Sequence, residues 1–396
     1  MRNTIASRLA VAVTAAVTTL GTVGLMPPPA WAQTAPDTLL NLPAEAVAHA
    51  SRLQAGLDIE VIDPSAYVCS TSTPIRDWLT ASKAGWTATD HNLANLAQQL
   101  VLLDTVLFPD DAGSGFGPFT TQVTHTFRDL GRFWDIDPGK IRLLPLRSTM
   151  LTDRAKLTRV FTVGWGFPEP VSASLADQMA TLMDTDKFQH GRHPGFTFNA
   201  FAINGLEVPG VGTVPPEIVM GDGVLAGMQA VGLGDVAPQA ILAHEYGHHV
   251  QYQRDLFDSD LTGPEASRRT ELMADAYAAY YLTHARGATM QWKRVQQFVQ
   301  VFGQLGDCGF AGDSHHGTPN QRLHSAEWGY GFSFFSQKQG HVMCIRAAPD
   351  PGRTGRLTCC SRPLKTVAVV QRQLCSRCRP SDSPRRRNAP ISTWSR

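Results

Sequence analysis

Between residues 33 and 340 the chain has only two cysteines, Cys69 and Cys308. That scarcity excludes the four-cysteine sets of structural zinc modules and the dense bridging of small secreted scaffolds. Nothing after the first 26 residues is long and apolar enough to cross a bilayer. There is no internal repeat and no phosphate-binding glycine loop, and Gly221-Asp222-Gly223 reads more simply as a turn. Positive charge is also short: residues 33–340 carry 21 basic against 32 acidic side chains, a balance that disfavours nucleic acid as a partner.

The two ends read differently from this body. Arg2 and Arg8, an apolar stretch from Leu9 to Met26, the break Pro27-Pro28-Pro29 and the small-x-small site Ala30-Trp31-Ala32 have the layout of a signal peptide spanning residues 1–32. The expectation is an exported protein, secreted or periplasmic, without a stable membrane span after cleavage; an uncleaved membrane anchor is the alternative. Residues 341–396 hold eleven Arg and five of the seven cysteines, and among these only Cys375 and Cys378 have Cys-x-x-Cys spacing. With so little apolar periodicity this tail is expected to be disordered, since it buries too little surface to offset chain ordering. Between the ends, residues 33–150 read as a mainly helical region and residues 151–340 as the core that carries the chemistry.

The most informative window of that core is His244-Glu245-Tyr246-Gly247-His248. Residues four apart on a helix differ by only about 40° of rotation, so both imidazoles can reach one cation from a single face. Glu245 then lies beside the cation without being a ligand, where a hydrolytic zinc site needs a base for water. Asp235 as N-cap and Pro238 in the first turn predict a helix from about Val236 to Arg254. His249 falls about 100° round from His248 and is expected to be a neighbour, not a ligand.

A catalytic zinc usually takes a third protein ligand. A second helix is expected from Thr262, with a capping box to Glu265, up to about Arg286, and it carries Glu271 and Asp275 one turn apart. Two carboxylates on a mainly apolar helix need a cation or donors; the alternative is a solvated stripe continuing Arg268 and Arg269. The pattern His-Glu-x-x-His followed by Glu-x-x-x-Asp resembles the gluzincin arrangement of thermolysin-like peptidases. The strings around His244–Gln251 and Glu271–Ala276, with His316-Gly317-Thr318-Pro319-Asn320-Gln321-Arg322, more narrowly resemble a bacterial family of neutral zinc metallopeptidases. That family's aromatic pair after the third string is replaced here by His324-Ser325. The resemblance covers about Glu217 to Tyr330. It implies that His244, His248 and Glu271 hold Zn2+, that Asp275 orients His244, and that His316 stabilises a developing oxyanion. Other candidates for the last role are His315, His324, Tyr252 and Tyr280.

The fold expected is α+β and mainly helical, a zincin-like metallopeptidase core with a short sheet before the metal-binding helix. Apolar spacing predicts a core helix over Leu93–Leu103 and another over Trp292–Leu305. Strands are expected at Val160–Trp165, Phe196–Ala202 and Glu217–Met220, the last as an edge strand that pairs with an extended substrate. Cys69 and Cys308 could pair, which in an exported chain would restrict the unfolded state. The function expected is zinc-dependent hydrolysis of a peptide or protein substrate with Glu245 as general base. Two alternatives stand beside it: a catalytically silent zinc-binding structural or interaction protein, and a zinc hydrolase of a non-peptide bond.

Overall fold

The computed structural model describes residues 69–339 apart from 114, 209, 210, 311, 313 and 314, so the expected signal peptide and tail lie outside the described residues. The described chain is mainly helical with a small sheet. In order it forms helices α1 (Pro74–Ser82), α2 (Ala88–Leu107) and α3 (Thr120–Phe133), strand β1 (Arg142–Leu146), and helices α4 (Arg154–Arg159) and α5 (Glu169–Met183). Strands β2 (Ala200–Ile203), β3 (Leu206–Val208), β4 (Gly212–Val214) and β5 (Glu217–Gly221) follow, and then helices α6 (Asp222–Ala230), α7 (Ala237–Gln253), α8 (Gly263–Thr283), α9 (Trp292–Leu305) and α10 (Pro319–Gln339). No helix among the described residues is long and apolar enough to cross a membrane.

The main sheet has the order β1-β5-β2, with β1 parallel and β2 antiparallel to β5. Successive strand side chains point to opposite faces. Ile218, Met220, Ala200 and Ala202 therefore join one core, built with α7, α8 and α9, while Val219, Phe201, Leu144 and Leu146 join another, built with α2, α4 and α5. Because β1 comes from before residue 150 and pairs with a strand from after it, the expected division there does not separate two cores.

Several local expectations change. The expected strand at Val160–Trp165 is instead the π-helical end of α4: Asp153 caps that helix at the Lys156 N–H, and Val160 and Phe161 are wholly buried in the second core. Burial there overrides the β preference of a Val-rich run. Only the end of the Phe196–Ala202 segment is strand, since residues 194–196 form a 3-10 turn. β5 is the central strand, so it has no free edge for a substrate. Gly221-Asp222-Gly223 is not a turn but the passage from β5 into α6; a Cβ at Gly221 would collide with the carbonyls of Thr197 and Asn199, and one at Gly223 with that of Pro194. Neither expected cap forms: Asp235 pairs with Arg294 at 3.1 Å while Val236 holds the N-cap position, and Thr262 makes no side-chain cap. The core helices α2 and α9 contain the stretches expected of them, and α2 opens with a capping box between Thr87 and Asp90.

Candidate metal centre

Helix α7 is buried on nearly all sides, which removes the polar face a surface helix would show. It crosses α8 where Gly247 meets Ala274; a Cβ on Gly247 would sit 3.3 Å from the Ala274 Cα, so the missing side chain lets the two backbones approach. This close crossing brings the histidines of one helix onto the carboxylates of the other. The Nε2 atoms of His244 and His248 are 3.2 Å apart. Glu271 places Oε2 3.1 Å from His244 Nε2 and Oε1 3.3 Å from His248 Nε2. Ligands at zinc's bond lengths in a tetrahedron stand about 3.3 Å from one another, and each of these separations is close to that, with Glu271 meeting the two imidazoles through different oxygens. All three residues are buried, and together they could hold a metal ion. The solvated-stripe alternative for Glu271 and Asp275 does not hold, since they are 4% and 0% exposed.

What surrounds the two imidazoles fixes which nitrogen is free. His244 Nδ1 donates to Asp275 Oδ1 at 2.8 Å, and His248 Nδ1 donates to Gln251 Oε1 at 2.9 Å. Gln251 is held in that orientation because its Nε2 donates to the Thr270 carbonyl at 2.8 Å. In the neutral tautomers that these contacts favour, both Nε2 atoms are acceptors, as cation binding requires. Behind Asp275 stands Arg322, wholly buried, whose Nε and Nη2 donate to the two carboxylate oxygens at 2.7 and 2.6 Å. Burial opposes the charge on Arg322, but Asp275 more than offsets it and raises its pKa further.

The electrostatics suit a cation. Burial opposes ionisation of Glu271, yet His248, His316 and His244 hold its carboxyl well below the usual range. Burial also opposes a proton on His244, but hydrogen bonds to Asp275 and Glu271 push it up to about 10. A cation must compete with that proton, so affinity falls on acidification. Glu245 is wholly buried with no hydrogen-bond partner for either oxygen, and burial pushes its carboxyl up to about 7 against the pull of His244 and His248. An unpartnered carboxyl beside two imidazoles that could bind a cation is costly as structure and is what a proton acceptor needs.

The remaining candidates divide. His249 accepts no role in the cluster: its Nε2 donates to the Glu217 carbonyl at 3.1 Å, and burial lowers its pKa to about 4. Tyr252 donates to the Ala202 carbonyl at 3.3 Å. Tyr280 packs among Phe133, Trp134 and His284, and His324 is exposed. His316 is buried and close enough to Glu271 to stabilise its charge. Its backbone N–H and Nδ1 both donate to Asp307 Oδ2, at 2.8 and 3.1 Å, while His315 Nδ1 donates to Asp307 Oδ1 at 2.7 Å.

Three supporting residues escaped the sequence reading: Gln251, Arg322 and Asp307. Gln251 carried a readable signal, since it lies three residues after His248 and so on the same helical face. Arg322 was visible only as the end of the His316–Arg322 string, and nothing in the sequence pointed to Asp307. No family model, curated protein or solved structure matches the chain.

Proposed function

We propose that this chain is an exported zinc-dependent peptidase with a gluzincin-like arrangement of ligands. The observation that carries the reading is the convergence of His244 Nε2, His248 Nε2 and Glu271 beside the unpartnered carboxyl of Glu245. A purely structural metal site has no need of that fourth group. Zinc, when bound, would supply a Lewis acid that acidifies water and polarises the scissile carbonyl.

The protein's own residues supply the rest. Glu245 takes a proton from water and returns it to the leaving amine. Asp275, held by Arg322, keeps His244 in the tautomer that leaves Nε2 free, and Gln251 does the same for His248. His316, whose Nδ1–H is taken by Asp307, donates to the oxygen on which charge develops from Nε2, a role that requires a proton on both ring nitrogens. With β5 central in the sheet, β2 becomes the strand for an extended substrate: it lies at an edge, runs antiparallel to β5 and packs against α7. Export agrees with the Cys69–Cys308 disulfide, which belongs to an oxidising compartment.

Hydrolysis of unstructured proteins and of simple esters by the zinc-loaded protein tests the proposal, with chelator and Glu245→Gln as controls. The expected result is amide hydrolysis that chelator abolishes and that Glu245→Gln lowers by about 10²- to 10⁴-fold while zinc stays bound. Zinc binding without hydrolysis would instead identify a silent metal-binding protein, and ester hydrolysis alone a hydrolase of another bond.

A further inference from the structure

The loop that carries His316 is tied to the start of the described chain. Asp307, whose carboxylate holds His315 and His316, is followed directly by Cys308, and Cys308 is bonded to Cys69 with the Cα atoms 5.8 Å apart. Asp307 also receives the Gly309 N–H at 2.7 Å on Oδ1 and donates its own N–H to the Gly317 carbonyl at 2.9 Å. The segment after Cys69 reinforces the tie: Thr73 Oγ1 donates to the Gln304 carbonyl at 3.1 Å, Gln304 Oε1 accepts the Ile75 N–H at 3.0 Å, and Arg76 donates to the Gly306 carbonyl. The Asp307 hydrogen bonds to His316 thus tie it to residues 304–309. The metal-ligand residues share this support only through Arg322, whose Nη1 donates to the Leu305 carbonyl at 3.4 Å. They sit on α7 and α8, held by the helix crossing, by Gln251 and by Arg322.

We propose that the Cys69–Cys308 disulfide is a positioning device for His316, so that opening this one bond lowers turnover while leaving the metal in place. The inference rests on the reading of His316 as the group that donates to the developing oxyanion. Reduction by a trialkylphosphine and water breaks the sulfur–sulfur bond, gives two thiols and leaves the phosphine as its oxide; unlike a dithiol, this reductant does not compete for zinc. Because residues 341–396 hold five further cysteines, the full-length chain carrying Cys69→Ser and Cys308→Ser isolates the effect of this bond.

The experiment is a double-mutant cycle on zinc-loaded full-length protein, well below the unfolding temperature of every variant. Opening the bond, by phosphine or by the paired Ser substitutions, should lower kcat at least about tenfold, since small misplacements of a catalytic group are costly. Zinc affinity, read by chelator competition, should not change. In a His316→Ala background the same opening should change kcat by less than about twofold, because the group it positions is gone. An equal loss in both backgrounds, no loss in either, or loss of zinc overturns the proposal. Nitrogen NMR of the histidine rings separates this from failure of the peptidase reading: the Nδ1–H of His316, sheltered by Asp307, should lose its protection in the opened form even if no substrate is ever cleaved. Unchanged protection would overturn the positioning role independently of any activity.

Discussion

On the face of the sheet that carries Val219, Phe201 and Leu144, the protein is held mainly by apolar packing; its buried carboxylates are scattered, with Asp104 paired to Arg159 at 2.7 Å, Asp90 paired to Lys187 at 2.9 Å, and Glu217 buried without a hydrogen-bond partner. On the other face, α7 and α8 bury Glu245, Glu271 and Asp275 against a single buried guanidinium, Arg322. Both faces contain a hydrophobic core and both bury carboxylates, but only the second gathers three of them around a pair of imidazoles. Buried carboxylates are costly unless paired or bound to a cation, so the cluster on the second face is where a bound cation should return the most stability. The comparison makes sharp claims about which substitutions respond to zinc.

The largest effects should come from one deletion on each face. Phe161→Ala empties a wholly buried position in the apolar core and should destabilise by about 3–5 kcal/mol, equally with and without zinc. Arg322→Met should cost a similar amount, about 3–5 kcal/mol, by leaving Asp275 buried with only His244 as partner, but it should also weaken zinc binding. Urea unfolding of both variants with and without metal checks the contrast. Equal zinc dependence in the two would erase the distinction between the faces.

Smaller losses are expected one bond away from the ligands. Asp275→Asn and Gln251→Ala should each lower zinc affinity by about 10- to 100-fold, because each loosens an imidazole without removing it. Competition with a chromogenic chelator measures this. If Asp275→Asn loses zinc outright while Glu271→Ala retains it, the two carboxylates have exchanged roles. The smallest effect belongs to the first face: Thr87→Ala removes the cap of α2 and should cost about 1 kcal/mol with no change in zinc affinity. A thermal-unfolding comparison, run beside the same chelator assay, would show any unexpected coupling to the site.

The legible part of the molecule was the part whose chemistry obeys helical spacing. His244 with His248 and Glu271 with Asp275 are each one turn apart, and the structure brings the four side chains together as that spacing implies. α2 and α9 were legible for the same reason, through apolar periodicity over many residues. The strand expected at Val160–Trp165 failed because local β preference there is overruled by an N-cap at Asp153 and by burial of Val160 and Phe161. The central place of β5 could not be read either, since it depends on a parallel partner, β1, that comes from far earlier in the chain. Asp307 and Arg322 reach the site only through tertiary packing of α10 and the loop before it, and no local pattern marks such residues.

The central claim is that the buried carboxylates of α7 and α8 form a metal site. Its most direct test is the unfolding free energy of the wild-type chain and of Glu271→Ala, each measured in chelator and in zinc at about 100 times the wild-type dissociation constant. The wild type should gain about 2.7 kcal/mol from zinc, the stabilisation expected when a ligand binds only the folded state at that excess. Glu271→Ala should gain little or none. No zinc-induced gain in the wild type, or an equal gain in Glu271→Ala, would contradict the account.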